Sequence, residues 1–161
     1  MRALAIIGLS SSRTLAPISD DAWETWGLGN DPRCELYDRV FEMHPPYFFD
    51  GEKRARVERQ LEEMENLYHQ GNYPATDWAW GYDSSIAYML ALGIHYCFRT
   101  IGLWGVDMAR DEEYAYQREN MMHMLGFARG RGIEIVLPPQ SKLHMPVNCY
   151  PFGFESIIHR S

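Results

Sequence analysis

Hydrophobic and polar positions alternate between two periods along this chain. "RALAIIGL" (2–9) is a short apolar run followed by Gly and Ser, the pattern of a buried strand over Ala3–Gly8. "ETWGL" (24–28) reads as a second short strand. "DRVFEMH" (38–44), which alternates and is rich in strand formers, reads as a third centred on Val40–Met43. The segment "PPYFFDGEKRARVERQLEEMENLYHQG" (45–71) opens with a proline break. It then spaces Val57, Leu61, Met64 and Leu67 by three or four residues, which predicts a helix closing at Gly71. "GNYPATDWAWGYD" (71–83) is an irregular link. "SSIAYMLALGIHYCF" (84–98) is apolar almost all round, predicting a fully buried helix capped by Asp83 or Ser84. "RTIGLWGV" (99–106) predicts a strand over Thr100–Trp104. "ARDEEYAYQRENMMHMLGFARGRG" (109–132) predicts a helix with Asp111 as cap and Glu112 and Glu113 near the positive end of its dipole. "IEIVLP" supplies a last strand over Glu134–Leu137, and the tail "MPVNCYPFGFESIIHRS" has no clear period. Strands alternating with helices imply a three-layer α/β sandwich around a mostly parallel sheet.

Composition narrows the function classes. The chain has 161 residues, 46% hydrophobic and 23% charged, a globular balance that fits one domain over residues 1–161. The net charge of −7 argues against non-specific nucleic-acid binding, which needs a basic surface to release counterions. The run around "IAYMLALGI" is too short to span a bilayer, and "MRALAIIGLSSSR" lacks a signal-peptide cleavage pattern, so no membrane partner is expected. Cys34, Cys97 and Cys149 show no paired spacing, which suits reduced thiols in a cytoplasm, with Cys97 expected in the core. Tyr88 and Met89 are expected in the core, and Met121, Met122 and Met124 in the core or at an oligomer contact. The apolar second helix, the methionine-rich third helix and the aromatic tail together exceed what one small sheet needs to cover, which points to a homo-oligomer.

Parallel sheets bind ligands beyond the carboxyl ends of their strands. Here the first strand is followed by Gly8, Ser10, Ser11, Ser12 and Arg13. The third ends in Glu42 and His44, and the fourth in "GVDM". "GLSSSR" suits a phosphate: Gly permits close backbone approach, hydroxyls and N–H groups donate, and Arg forks onto phosphate oxygens. It is neither a P-loop nor G-x-G-x-x-G, and a plain serine-rich turn explains it equally well. His44 is either a general base or substrate contact, or a histidine bonded within its turn. Asp107 could bind a metal or a ribose hydroxyl, or cap the turn. Glu113 and Gln117 share one helix face, with Tyr114 and Arg118 beside it, as a pocket wall or a solvated surface. His69, His95, His123, His144 and His159 lack the spacing of a zinc site.

"RALAIIGLSSSRTLAPISDDAWETWGLGN", "YDSSIAYMLALGI" and "TIGLWGVDMARDEEYAYQRENMMHMLGFARGRGIEIVLP" resemble a family of uncharacterised bacteriophage proteins, up to about Leu143. More distantly they resemble a set with a variant Rossmann fold, which includes bacterial sialyltransferases and archaeal-type 6-hydroxymethyl-dihydropterin pyrophosphokinases. In that set the first loop and the Ser-headed helix bind a nucleotide or nucleotide sugar. The resemblance therefore implies a Rossmann-like fold and a nucleotide-like ligand on Gly8, Ser10, Ser11, Ser12, Asn30, Ser84, Ser85, Gly105 and Asp107. It also implies a further strand between the first long helix and "SSIAYM", where "GNYPATDWAWGYD" shows no strand pattern. Joined to the chemistry above, it places the phosphate on the Gly8–Arg13 loop and the sugar or base near Ser84, Ser85 and Asp107. Glu113, Gln117 and Arg118 then form a wall. Three functions stay open. One is a binder of a nucleotide, such as a signalling nucleotide of host defence, in the host cytoplasm. Another is a nucleotide-sugar transferase or pyrophosphokinase-like enzyme using His44 or Asp107, with magnesium as its expected cofactor. The last is a structural protein with a vestigial site.

Overall fold

Among the described residues six strands, all parallel, form a single sheet: β1 (Ala3–Ile7), β2 (Trp23–Leu28), β3 (Arg39–Phe41), β4 (Leu67–Tyr68), β5 (Thr100–Trp104) and β6 (Glu134–Val136). The computed structural model describes residues 2–74, 83–108 and 111–143, with the backbone alone for 111–115. The strand order is β4-β3-β2-β1-β5-β6, so the chain builds outward from β1 in one direction and then crosses back to β1's other side. This is a Rossmann-like α/β fold, and its switch point lies between β1 and β5. The strands are joined by the helices α1 (Gly51–Glu63), α2 (Ser85–His95) and α3 (Asp111–Gly130).

Alternation along the strands divides the core. Leu4 and Ile6 of β1 share a face with Trp26, Phe41, Ile101 and Leu103, and that face packs on α2 and α3. Ile7, Val40 and Leu67 lie on the opposite face with Tyr37. Right-handed crossovers put the β1-to-β4 connections on one face and the later ones on the other, and the two clusters divide in that way. The smaller cluster is thinly covered. Short 3₁₀ turns, Ser11–Leu15 and Cys34–Leu36, stand where longer helices would otherwise run.

Helix α2 is the buried helix its composition predicts. Ile86, Ala87, Met89, Leu90, Leu92 and Ile94 are all inside, and the Ser84 hydroxyl accepts a hydrogen bond from the Ala87 N–H at 3.2 Å, so Ser84 rather than Asp83 is the cap. Met121 and Met124 of α3 have no exposed surface, while Met122 and Tyr88 are half-buried against the core. Much of the apolar surface of α2 and α3 is therefore covered among the described residues. The aromatic tail falls outside the described residues. Among these residues no helix is long and apolar enough to cross a membrane.

Two expectations are corrected. The first long helix ends at Glu63 rather than Gly71, with Met64 as its extended C-cap. The Asn66 amide donates to the Tyr37 carbonyl at 3.0 Å and the Asp38 carbonyl at 3.3 Å, which fixes the turn. Leu67 then pairs with Val40 as the strand β4. It lies within what read as helix. Leu61, within α1, is exposed. Cys97, expected in the core, is exposed with φ of 60° just past the end of α2. The apolar run that contains it continues beyond the helix, where its periodicity no longer applies.

Candidate functional site

The switch point is built from two glycines facing each other. Gly8 N–H donates to the Trp104 carbonyl at 2.8 Å, and Ser10 N–H to the Gly105 carbonyl at 2.9 Å. A Cβ on Gly8 would lie 2.3 Å from the Gly105 oxygen, and one on Gly105, whose φ is +67°, 2.6 Å from the Gly8 oxygen. Only glycine permits this approach. The Ser12 hydroxyl accepts the Gly105 N–H at 2.9 Å and is buried. The first loop is thus tied to the end of β5 by backbone and side chain together.

Beyond these strand ends lies a pocket of about 510 Å³, within the range of small-molecule sites. Its floor is Gly8, Ser10 and Gly105, and Asn30 follows β2. Glu42 and His44 follow β3, and Phe49, Lys53 and Arg56 come from the start of α1 and the turn before it. Asp107 follows β5, Asp83, Ser84 and Ser85 head α2, and Gln117 comes from α3. Of the residues singled out from sequence, the pocket gathers Gly8, Ser10, Asn30, His44, Ser84, Ser85, Gly105, Asp107 and Gln117.

The others are placed elsewhere. Ser11 does not line the pocket, and Ser12 holds the strand ends together. Arg13 lies 3.6 Å from the buried Asp31 carboxylate, not in the pocket. Asp31 also accepts from Arg33 Nη2 at 3.2 Å and from the Tyr37 hydroxyl at 2.8 Å. Burial pushes the Asp31 carboxyl up, but the hydrogen bonds from Arg33 and Tyr37 outweigh it and hold the group below the usual carboxylate range. Burial and the Asp31 hydrogen bond in turn push the Tyr37 hydroxyl well up. Arg13 belongs to this network. Arg118 donates to the Lys142 carbonyl at 3.0 Å and is not among the pocket's lining residues. The Glu113 and Tyr114 side chains and the N-terminal cap of α3 lie outside the described residues.

Sequence reasoning did not single out Lys53, Arg56 or Asp83. Lys53 and Arg56 sit on a helix whose charges read as an ordinary solvated surface, and only the β3–α1 connection carries them to the strand ends. Glu42 is buried beneath them. Its Oε1 accepts the His44 N–H at 3.3 Å and lies 3.2 Å from His44 Nδ1, and its Oε2 lies 3.6 Å from Arg56 Nη2. On the opposite wall Asp83 Oδ1 accepts from Asn120 at 3.0 Å. Among the described residues three polar atoms of the pocket's lining are buried without a hydrogen-bond partner: Arg56 Nε, Asp83 Oδ2 and Asp107 Oδ1. Among the described residues no group of three or more His, Cys, Asp or Glu side chains could hold a metal ion.

No protein-family model matches the chain, and no curated protein matches it. Among solved structures it is similar to a point mutant of the alpha-2,3/8-sialyltransferase CstII. The TM-score is 0.47 and the identity 12%, with 88% of this chain and 84% of that chain covered.

Proposed function

We propose that this protein binds a small nucleotide-like molecule in the pocket at the β1/β5 switch point. The observation that carries the reading is the pair of unsatisfied carboxylate oxygens there, Asp107 Oδ1 and Asp83 Oδ2. Native proteins rarely bury such atoms unpaired, and a ligand bearing hydroxyl or amino donors would satisfy them. Ribose hydroxyls and the amino groups of bases are donors of this kind. The pocket's volume and its position beyond the carboxyl ends of the strands also support the reading. The resemblance to phage proteins extends it to sequestration of a signalling nucleotide made by host defence.

One observation favours the enzyme reading beside it. The buried Glu42 holds His44 through Nδ1, which would leave Nε2 to take a proton from a substrate hydroxyl. Native mass spectrometry of the protein after incubation with extracts of infected and uninfected cells tests both. A retained nucleotide-sized mass supports binding, and its conversion over time supports turnover. Protein that retains no small molecule from either extract counts against both.

A further inference from the structure

The two ends of the pocket carry opposite charge. One end is built by β3 and α1, and the other by β5 and the head of α2. Strands β3 and β5 are three steps apart in the sheet, which at 4.7–4.9 Å per step is roughly 14 Å. That span accommodates an extended nucleotide. At the β3 end Lys53 and Arg56 line the pocket with one carboxylate among the described residues, Glu42. Lys53 forms no ion pair among the described residues. Arg56 reaches Glu42 only at 3.6 Å and keeps a buried Nε without a partner. This end therefore has cationic donors to spare. At the β5 end Asp83 and Asp107 line the pocket, and among the described lining residues no lysine or arginine stands with them. An anion there would meet two carboxylates. The Gly8–Arg13 loop between the ends supplies backbone and the Ser10 side chain but no cation, because Arg13 is held by Asp31.

Resting on the ligand reading above, we infer that the pocket binds its ligand in one direction. A phosphate or other anionic group lies on Lys53 and Arg56, and a donor-rich end lies on Asp83 and Asp107. The anion site is then on α1, not on the serine-rich loop that resembles a phosphate cradle. Charge-assisted bonds to the guanidinium and ammonium groups supply attraction at one end. Carboxylate acceptors supply it at the other, and a reversed ligand would lose both.

The test is calorimetric titration of inorganic pyrophosphate, the four nucleoside 5′-monophosphates and the matching nucleosides. The proteins are the parent, Lys53→Ala, Arg56→Gln, Arg13→Gln and, as a charge-matched control on the same helix, Arg54→Ala. Arg54 is paired with Glu58 outside the pocket. Circular dichroism confirms that each variant is folded. The expected result is that Lys53→Ala and Arg56→Gln each weaken nucleotide binding by about 10- to 150-fold, while Arg54→Ala leaves it within twofold. Nucleotide binding that ignores Lys53 and Arg56, or that Arg13→Gln alone abolishes, overturns the assigned direction and leaves the nucleotide reading standing. Lys53-dependent binding of pyrophosphate with no nucleotide bound supports the anion site and overturns the nucleotide reading. No binding of any probe overturns both.

Discussion

Replacing Gly8 by alanine probes the junction on which the site depends. The added Cβ would sit 2.3 Å from the Gly105 carbonyl oxygen, 3.0 Å from its carbon and 3.2 Å from Val106 Cγ2. Carbon-to-oxygen contacts settle at about 3.3 Å, so the ends of β1 and β5 must part by roughly 1 Å. The obstacle is backbone, so no side-chain rotation relieves it. Overpacking of this kind costs about 1–3 kcal/mol. Stretching the Gly8-to-Trp104 and Ser10-to-Gly105 hydrogen bonds adds about 1 kcal/mol. The expected loss is therefore about 2–4 kcal/mol, which for a chain of this size lowers Tm by roughly 4–16 °C. Urea unfolding followed by circular dichroism, with a thermal scan, reads both quantities. Gly126→Ala is the control. Gly126 is exposed within α3 and a Cβ there meets nothing within 4 Å, so alanine should stabilise by about 0.5–1 kcal/mol. A Gly8→Ala protein within 0.5 kcal/mol of the parent would refute the account of the junction.

Other expectations follow from the same contacts. The Asp31 carboxyl is held below its ordinary 3.8, so the stability it contributes is present above that value and lost as pH falls through the folded pKa. Urea midpoints measured from pH 6 to pH 2 should fall in the parent below about pH 4, and Asp31→Asn should be weaker at pH 7 and lose part of that fall. Arg39 lies over the rings of Trp26, Tyr68 and Tyr96 at 5.0, 5.4 and 5.2 Å, with its Nε 2.8 Å from Glu24. Arg39→Ala should cost about 2–4 kcal/mol in chemical denaturation, and Arg39→Lys should recover less than half, since an ammonium cannot reproduce the flat fork. Ser84→Ala should cost about 1 kcal/mol through loss of the α2 cap, read by the same denaturation.

The strands that surround the switch point were legible because their side chains are buried on both faces. "ALAII" and "TIGLW" have few other ways to hide so many apolar groups, and α2 was legible for the same reason. Strand β4 was not. Its two residues continue the three-and-four spacing of the helix before it, and only Asn66, bonding to carbonyls beside β3, ends that helix early. The site divides in the same way. Gly8, Gly105, Ser84 and Asp107 stand next to strand ends or a helix start, where position in sequence already implies position in space. Lys53 and Arg56 reach the pocket through the path of the chain after β3. Arg13 looked like a phosphate ligand because no local feature of the sequence ties it to Asp31, eighteen residues away (31 minus 13).

The most direct test of the ligand reading is calorimetric titration of mono-, di- and cyclic nucleotides and nucleotide sugars into the parent and Asp107→Asn. Asparagine keeps the shape of the side chain but removes its charge and one acceptor oxygen. At least one nucleotide should bind the parent, and Asp107→Asn should weaken that binding by about 10-fold or more with urea stability unchanged. If no nucleotide binds, or if Asp107→Asn binds as tightly as the parent, the switch-point pocket is not the nucleotide site described here.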